Sequence, residues 1–399
     1  MDDRLDFLSQ DAVKAFIKEN QNADPSQLIL NPPSGFKEHI KEISSQILAR
    51  QKAKGKLDSW SGNFDLIMPP PLSIEQASSE ATCAYKQQLV SGKTLIDLTG
   101  GMGVDCLALS QSFNHTIYVE QQKNLCDLFA QNSNVLGREI DIVHNSAEAF
   151  LNDYHGELEE TFIYLDPARR DDHKNKVFRI EDCSPDVAEL LPKLAEKASK
   201  VLIKFSPILD ITSIVEAISQ TSEVHIVSVK NDCKEILVYI DFSVVKNPSI
   251  RCVNLESNQP DYRFDFESEK KQVSSYSNPK TYIYEPNSSV MKAGAFKKVG
   301  VEFGLEKLEE NTHLYTSDDA ISSFPGRTFR VVSADVKKEI SKYAPGGKIN
   351  VITRNYPLSA PELKKKWKLK DGGDYFLIAF RNLHSKPQMV IAERVGHSK

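Results

Sequence analysis

The stretch TLIDLTGGMGVDC, Thr94 to Cys106, sets three glycines between two aspartates. Gly100, Gly101 and Gly103 follow an apolar run that ends in Asp97, and Asp105 opens the helical pattern beyond them. A strand-to-helix turn that lacks Cβ atoms lets backbone N–H groups approach a ligand closely. A dinucleotide uses such a turn for its pyrophosphate. S-adenosylmethionine brings an ammonium, a carboxylate and a sulfonium instead. Acids beside the glycines repel a pyrophosphate and attract the cations. The dinucleotide fingerprint is also broken, because its last small residue would fall at position 106, which is cysteine. Glu120 ends the run TIYVE seventeen residues past Gly103 and is placed to accept ribose hydroxyls. Asn145 and Ser146, in VHNSAEAFL, end a third strand where they could bond an adenine edge. Ser146 could equally cap the helix that follows.

A second constellation lies in FIYLDPARR, Phe162 to Arg170. Asp166 ends a strand and could orient an amino or ring-nitrogen acceptor, while Arg169 and Arg170 could hold a phosphate or a base edge. The competing reading pairs these arginines with Asp171 and Asp172 at the surface. Cys183 has no evident base nearby and reads as an idle, buried thiol. The six cysteines (83, 106, 126, 183, 233 and 252) form no CxxC pair and no metal-ligand spacing, so no metal is expected.

The elements that must position these residues follow from the hydrophobic pattern. Residues 1–72 read as amphipathic helices closed by the break MPPPL, Met68 to Leu72. A helix over 73–90 is expected, with Ser73 as N-cap and Gln76 three residues on. From Thr94 strands and helices alternate, with strands at 94–98, 116–119, 140–143, 162–165, 201–205, 224–229 and 235–242. Such alternation predicts an α/β fold with a parallel sheet covered on both faces. The last two strands are separated by only NDCK, too short for a parallel crossover, so they must form an antiparallel hairpin. Residues 247–323 read as a small α+β unit and 324–399 as another, built from KINVITRN, SAPELKKKWKL, YFLIAFRN and QMVIAER. Ser359 can cap the helix in that series.

The 399 residues suit two to four domains at about 100–200 residues each, and carry a net charge of −5. The charge is uneven: from Ser323 onward there are sixteen Lys/Arg against six Asp/Glu, so the rest of the chain stands at −15. A basic C-terminal region is a hint of a polyanion partner. No run reaches the about 18 apolar residues a membrane span needs, and the acidic N-terminus has no apolar signal region, so a cytoplasmic protein is expected.

Taken as a set, LIDLTGGMGVD, VEQ, NSAEAF and YLDPARR resemble motifs I to IV of class I S-adenosylmethionine-dependent methyltransferases over residues 73–243. The resemblance implies a Rossmann-like seven-stranded sheet with an antiparallel final strand and S-adenosylmethionine as cofactor. It implies cofactor contacts from Asp97, Gly100, Gly101, Gly103, Asp105, Glu120, Asn145 and Ser146, with Asp166 and Arg169 catalytic. The motif at Asp166 is similar to the D-P-P-Y of amino-group methyltransferases. Ala168 replaces its second proline and Arg169 its aromatic residue, which removes the usual stacking partner for a flipped base. The C-terminal segments resemble the ferredoxin-like and THUMP-like domains of certain bacterial methyltransferases. True THUMP domains bind RNA, which implies tRNA or rRNA as partner, with Arg170, Arg354, Lys365 and Lys368 as contacts and Trp367 among the lysines. Methyl transfer to DNA, protein or a small molecule, or an inactive RNA-binding relative, are the alternatives; a nicotinamide-binding protein fits less well.

Overall fold

The computed structural model describes residues 3–169, 180–244 and 247–396. The chain clusters into two units, Met1–Ser222 with Ile236–Lys246, and Glu223–Glu235 with Asn247–Lys399.

The first nine strands along the chain are β1 (Gly92–Asp97), β2 (Phe113–Glu120), β3 (Asp141–His144), β4 (Thr161–Leu165), β5 (Ala168–Arg169), β6 (Cys183–Ser184), β7 (Lys200–Phe205), β8 (Glu223–Val229) and β9 (Asp232–Asp241), of which β8 and the start of β9 fall in the second unit. Six of them lie side by side in the order β3-β2-β1-β4-β7-β9. All neighbours are parallel except β9, which is reversed against β7. Every residue of β4 is buried, as a central parallel strand covered on both faces requires. β8 turns into β9 through Lys230 and Asn231 alone, both in the left-handed region (φ 51° and 67°). That is a two-residue hairpin turn, tighter than the four-residue gap expected from the sequence. β5 and β6 form a separate antiparallel ladder that the hydrophobic pattern does not announce.

The N-terminal helices include Asp11–Glu19 and Ile40–Ala53. They do not stand apart from the sheet. Ala49, Ala53 and Trp60 share one core cluster with Val104, Tyr118 and Phe129. Asn132 exchanges both amide hydrogen bonds with the backbone of Ile67, at 2.9 Å each, and Gln46 does the same with Met68. Arg50 is buried beside them, donating to the carbonyls of Asn63 and Leu66, and burial lowers its pKa to about 10.

The single helix expected over 73–90 is two: Pro71–Gln76 and Glu80–Gln87. Ser73 is not the cap. Ser79 caps the second helix, accepting from Thr82 N–H while Thr82 Oγ1 accepts from Ser79 N–H. The interruption turns Ser78 inward, where it is buried.

The second unit adds β10 (Ser249–Leu255) and β11 (Tyr262–Asp265), with β10 parallel to β8. It continues with β12 (Tyr282–Pro286), β13 (Glu306–Lys307), β14 (Tyr315–Ser317), β15 (Gly326–Ser333), β16 (Asn350–Arg354), β17 (Tyr375–Arg381) and β18 (Pro387–Val395). These last seven make one sheet in the order β13-β14-β12-β15-β18-β17-β16. The sheet passes through the expected boundary at 323/324, since β12 pairs with β15. Its two faces carry separate cores, one around Ile283, Phe329 and Phe380, the other around Leu363, Leu377 and Ile391. Helices Val336–Tyr343 and Ala360–Trp367 accompany it. The Glu362 carboxylate accepts from both Ser359 N–H and Oγ–H at the start of the second helix. No helix among the described residues is long and apolar enough to cross a membrane.

Candidate active site

The C-terminal ends of β1, β2 and β4 surround a cavity of about 320 Å³, within the usual size of a ligand site. Asp97, Gly100, Gly101, Gly103, Asp105, Glu120, Asn145 and Asp166 all line it. So do Ser73, Gln76, Ser78, Ser184 and Lys204, which the sequence motifs do not single out.

The three glycines have different reasons. A Cβ on Gly100 would stand 2.1 Å from the ring of Tyr118, and one on Gly103 2.1 Å from Phe129. Those two rings stack on each other at 3.9 Å beneath the turn, and the Tyr118 hydroxyl donates to the Gly101 carbonyl. Gly100 and Gly103 are therefore glycine to admit the protein's own aromatics, which corrects the expectation that all three open the backbone to a ligand. Gly101, with φ 55° and open space at its Cβ position, keeps that expectation.

The two aspartates also separate. Asp97 is 1% exposed. Its Oδ1 accepts from Thr99 N–H at 3.0 Å, and no ion pair to it is found among the described residues. Burial raises its pKa well above the usual carboxylate value, the Thr99 N–H opposes this, and the charges of Asp105, Asp166 and Glu120 raise it further. Asp105 is engaged on both oxygens. Oδ2 accepts from Ser78 Oγ at 2.8 Å and Tyr164 Oη at 2.9 Å, and lies 3.3 Å from Lys204 Nζ. Oδ1 lies 3.1 Å from Lys86 Nζ, whose side chain is wholly buried. Burial alone would raise this carboxyl; the Lys86 and Lys204 ammoniums overcome it and hold the group well below the usual range. Asp105 thus meets cations of its own chain while still lining the cavity.

Glu120 accepts from Gly101 N–H at 2.9 Å through Oε2 and from Gln122 N–H at 2.8 Å through Oε1, which orients it at the end of β2. Asn145 Oδ1 accepts from Ser146 N–H. Ser146 accepts from Ala149 N–H at 3.2 Å and is not among the lining residues, so its contact with the adenine edge is corrected to a helix cap. Asp166 N–H donates to Thr99 Oγ1 at 2.6 Å, and its Oδ2 lies 2.5 Å from Lys204 Nζ. Arg169 pairs through its backbone with Cys183, which is buried. Arg170, Asp171 and Asp172 lie outside the described residues.

Among the residues expected to contact a polyanion, Lys365 and Lys368 are exposed, and no ion pair to either is found among the described residues. Arg354 is engaged: its Nη2 lies 2.5 Å from the buried Glu285, which also binds Arg327. Trp367 packs against the core around Leu363, so it is not a free stacking surface. No group of three or more His, Cys, Asp or Glu able to hold a metal is found among the described residues.

The chemistry of this donor set suits a cationic cofactor. Asp97 is a buried acid with no cation partner among the described residues, beside Gly101 and Glu120. A pyrophosphate would face Asp97 and Glu120, with no arginine among the described lining residues to compensate. Comparison with known proteins agrees. A ferredoxin-like domain model matches residues 282–325 and a THUMP domain-like model residues 326–394. No curated protein matches the chain. A candidate methyltransferase from Porphyromonas gingivalis W83, known from its crystal structure, is 30% identical with a TM-score of 0.85, covering 96% of this chain and 98% of that one. Two more distant structures are a class I S-adenosylmethionine-dependent methyltransferase candidate from Listeria monocytogenes (12% identity, TM-score 0.35, 64% and 94% covered) and M. capricolum TrmK with S-adenosylhomocysteine (11%, 0.33, 41% and 69%). At those scores they add nothing to the assignment. The Porphyromonas likeness runs over the whole length and includes both C-terminal modules, and the chain belongs to the bacterial class I S-adenosylmethionine-dependent methyltransferases that carry a ferredoxin-like and a THUMP-like domain.

Proposed function

We propose that this methyltransferase modifies a base in structured RNA, tRNA or rRNA, in the cytoplasm. Bound S-adenosylmethionine supplies a methyl group already activated by its sulfonium. Asp97 holds the cofactor ammonium, Gly101 admits its amino-acid end, Glu120 takes the ribose hydroxyls and Asn145 bonds the adenine. Asp166 faces the acceptor, and the sequence places Arg169 and Arg170 beside it. The protein's task in such a displacement is to position and desolvate the acceptor.

The observation that carries the RNA reading is the lysine row of the THUMP-like segment. Lys365, Lys366, Lys368 and Lys370 are exposed around the C-terminal end of helix Ala360–Trp367, and none is ion-paired among the described residues. Lysines left in water without acidic partners suit phosphates, whose neutralisation releases counterions. Gel-shift titration with tRNA, rRNA fragments and duplex DNA over a salt series tests this, together with transfer of a labelled methyl group to RNA from a strain lacking the gene. Salt-sensitive RNA binding and labelled RNA are expected. Equal binding to duplex DNA with label entering DNA, or label entering protein alone, overturns the RNA reading.

A further inference from the structure

The site holds two buried lysines that cofactor binding does not call for. Lys86 comes from helix Glu80–Gln87 and Lys204 from β7, and both reach Ser78 Oγ, at 2.9 and 3.2 Å. Asp105 lies between them. The charges alternate as Lys86, Asp105, Lys204, Asp166, with the last contact at 2.5 Å. Three of the four are shut away, with side chains 0 to 10% exposed, whereas the Asp166 side chain is 39% exposed and lines the cavity. The buried row therefore ends in one partly exposed, cavity-lining carboxylate, with Lys204 on its Oδ2.

Methyl acceptors fall into two classes. A ring nitrogen that already has a free lone pair needs no base and becomes cationic on methylation. An N–H or O–H acceptor must lose a proton. The second class needs a proton acceptor at the reacting atom, and Asp166 is a cavity-lining carboxylate with a buried lysine held against it. We propose that the methylated atom is an N–H or O–H group, that Asp166 takes its proton, and that Lys204 is the positioning residue that keeps Asp166 ionised and aimed. The proposal rests on the reading that the acceptor sits beside Asp166. In the step, a lone pair of the acceptor atom forms the new bond to the methyl carbon, the carbon–sulfur pair returns to sulfur as a neutral thioether, and the acceptor proton passes to Asp166.

Asp166 is faced by Lys204 from β7, Asp105 from helix Val104–Leu109, Lys86 from Glu80–Gln87 and Asp97 from β1. Burial raises its pKa, the Lys204 charge lowers it, Asp105 raises it, and the Lys204 hydrogen bond and Lys86 lower it; the balance lies above the ordinary carboxylate value, which suits a proton acceptor. Loss of Lys204 removes the main downward influence.

Mass spectrometry of RNA nucleosides from a deletion strain and its parent tests the acceptor. A missing nucleoside methylated at an exocyclic amine, an imino nitrogen or a ribose hydroxyl is expected. Loss of 1-methyladenosine, 7-methylguanosine, 3-methylcytidine or a carbon-methylated base overturns the proposal. Carboxyl carbon NMR titration of the purified chain tests Lys204 without any substrate. Lys204→Met is expected to raise the Asp166 midpoint by about one pH unit or more, and Lys204→Arg to return it toward wild type. An unchanged midpoint in Lys204→Met overturns the role of Lys204 even where the RNA reading stands; loss of no RNA nucleoside, with the midpoint shifted, overturns the RNA reading alone.

Discussion

Asp97 and Asp105 lie in one short motif and carry the same group, yet their surroundings give them opposite behaviour. Burial raises Asp97, so the folded, ligand-free protein keeps a proton that the unfolded chain releases near pH 3.8. Its contribution to stability is full below that pH and declines as pH rises through the raised folded value. Asp97→Asn should remove that decline in apo unfolding curves and weaken S-adenosylmethionine binding about 10–100-fold by calorimetry, the loss of one charge-assisted contact. Asp105 runs the other way. Its carboxyl is held low, so its contribution is present above the ordinary carboxylate range and is lost as pH falls through the depressed value. Asp105→Asn leaves Lys86 and Lys204 buried without their counter-charge, and should cost about 3–5 kcal/mol in urea unfolding.

Elements explain the glycines. The turn between β1 and helix Val104–Leu109 rests on the stacked rings of Tyr118, from β2, and Phe129, from helix Lys123–Val135. At Gly103 an alanine would meet both a left-handed φ of 78° and the Phe129 ring. Gly103→Ala should destabilise by about 2–6 kcal/mol, the sum of backbone strain and overpacking. Gly101→Ala meets only the strain, about 1–3 kcal/mol, and thermal unfolding of the two variants should rank them so. The break at Ala77–Ser79 is the other element-scale feature. It places Ser78 where both lysines and Asp105 meet, which one unbroken helix would not.

At the scale of the whole molecule, the cofactor site lies in the first unit and the proposed polyanion surface in the second. They should therefore be separable. The double variant Lys365→Glu, Lys368→Glu should weaken RNA binding and lower the slope of log affinity against log salt by about 2, while S-adenosylmethionine affinity in calorimetry stays at the wild-type value. A variant that lost both together would place the lysines in folding instead.

The sequence alone determined the alternation of strand and helix, the reversal after β8 and the identity of the acids at the strand ends, because these depend on local periodicity and on the length of a connection. Helix Ala360–Trp367 and strands β16, β17 and β18 were legible for the same reason. The β5–β6 ladder was not, since two-residue strands have no period. Nor were Ser78, Lys86 and Lys204, which have no motif around them and meet Asp105 from segments up to 126 residues apart. Only the tertiary structure decided which acid had its own cation and which did not. A carboxylate's role depends on the charges and solvent around it, and those come from residues that are neighbours in space and not along the chain.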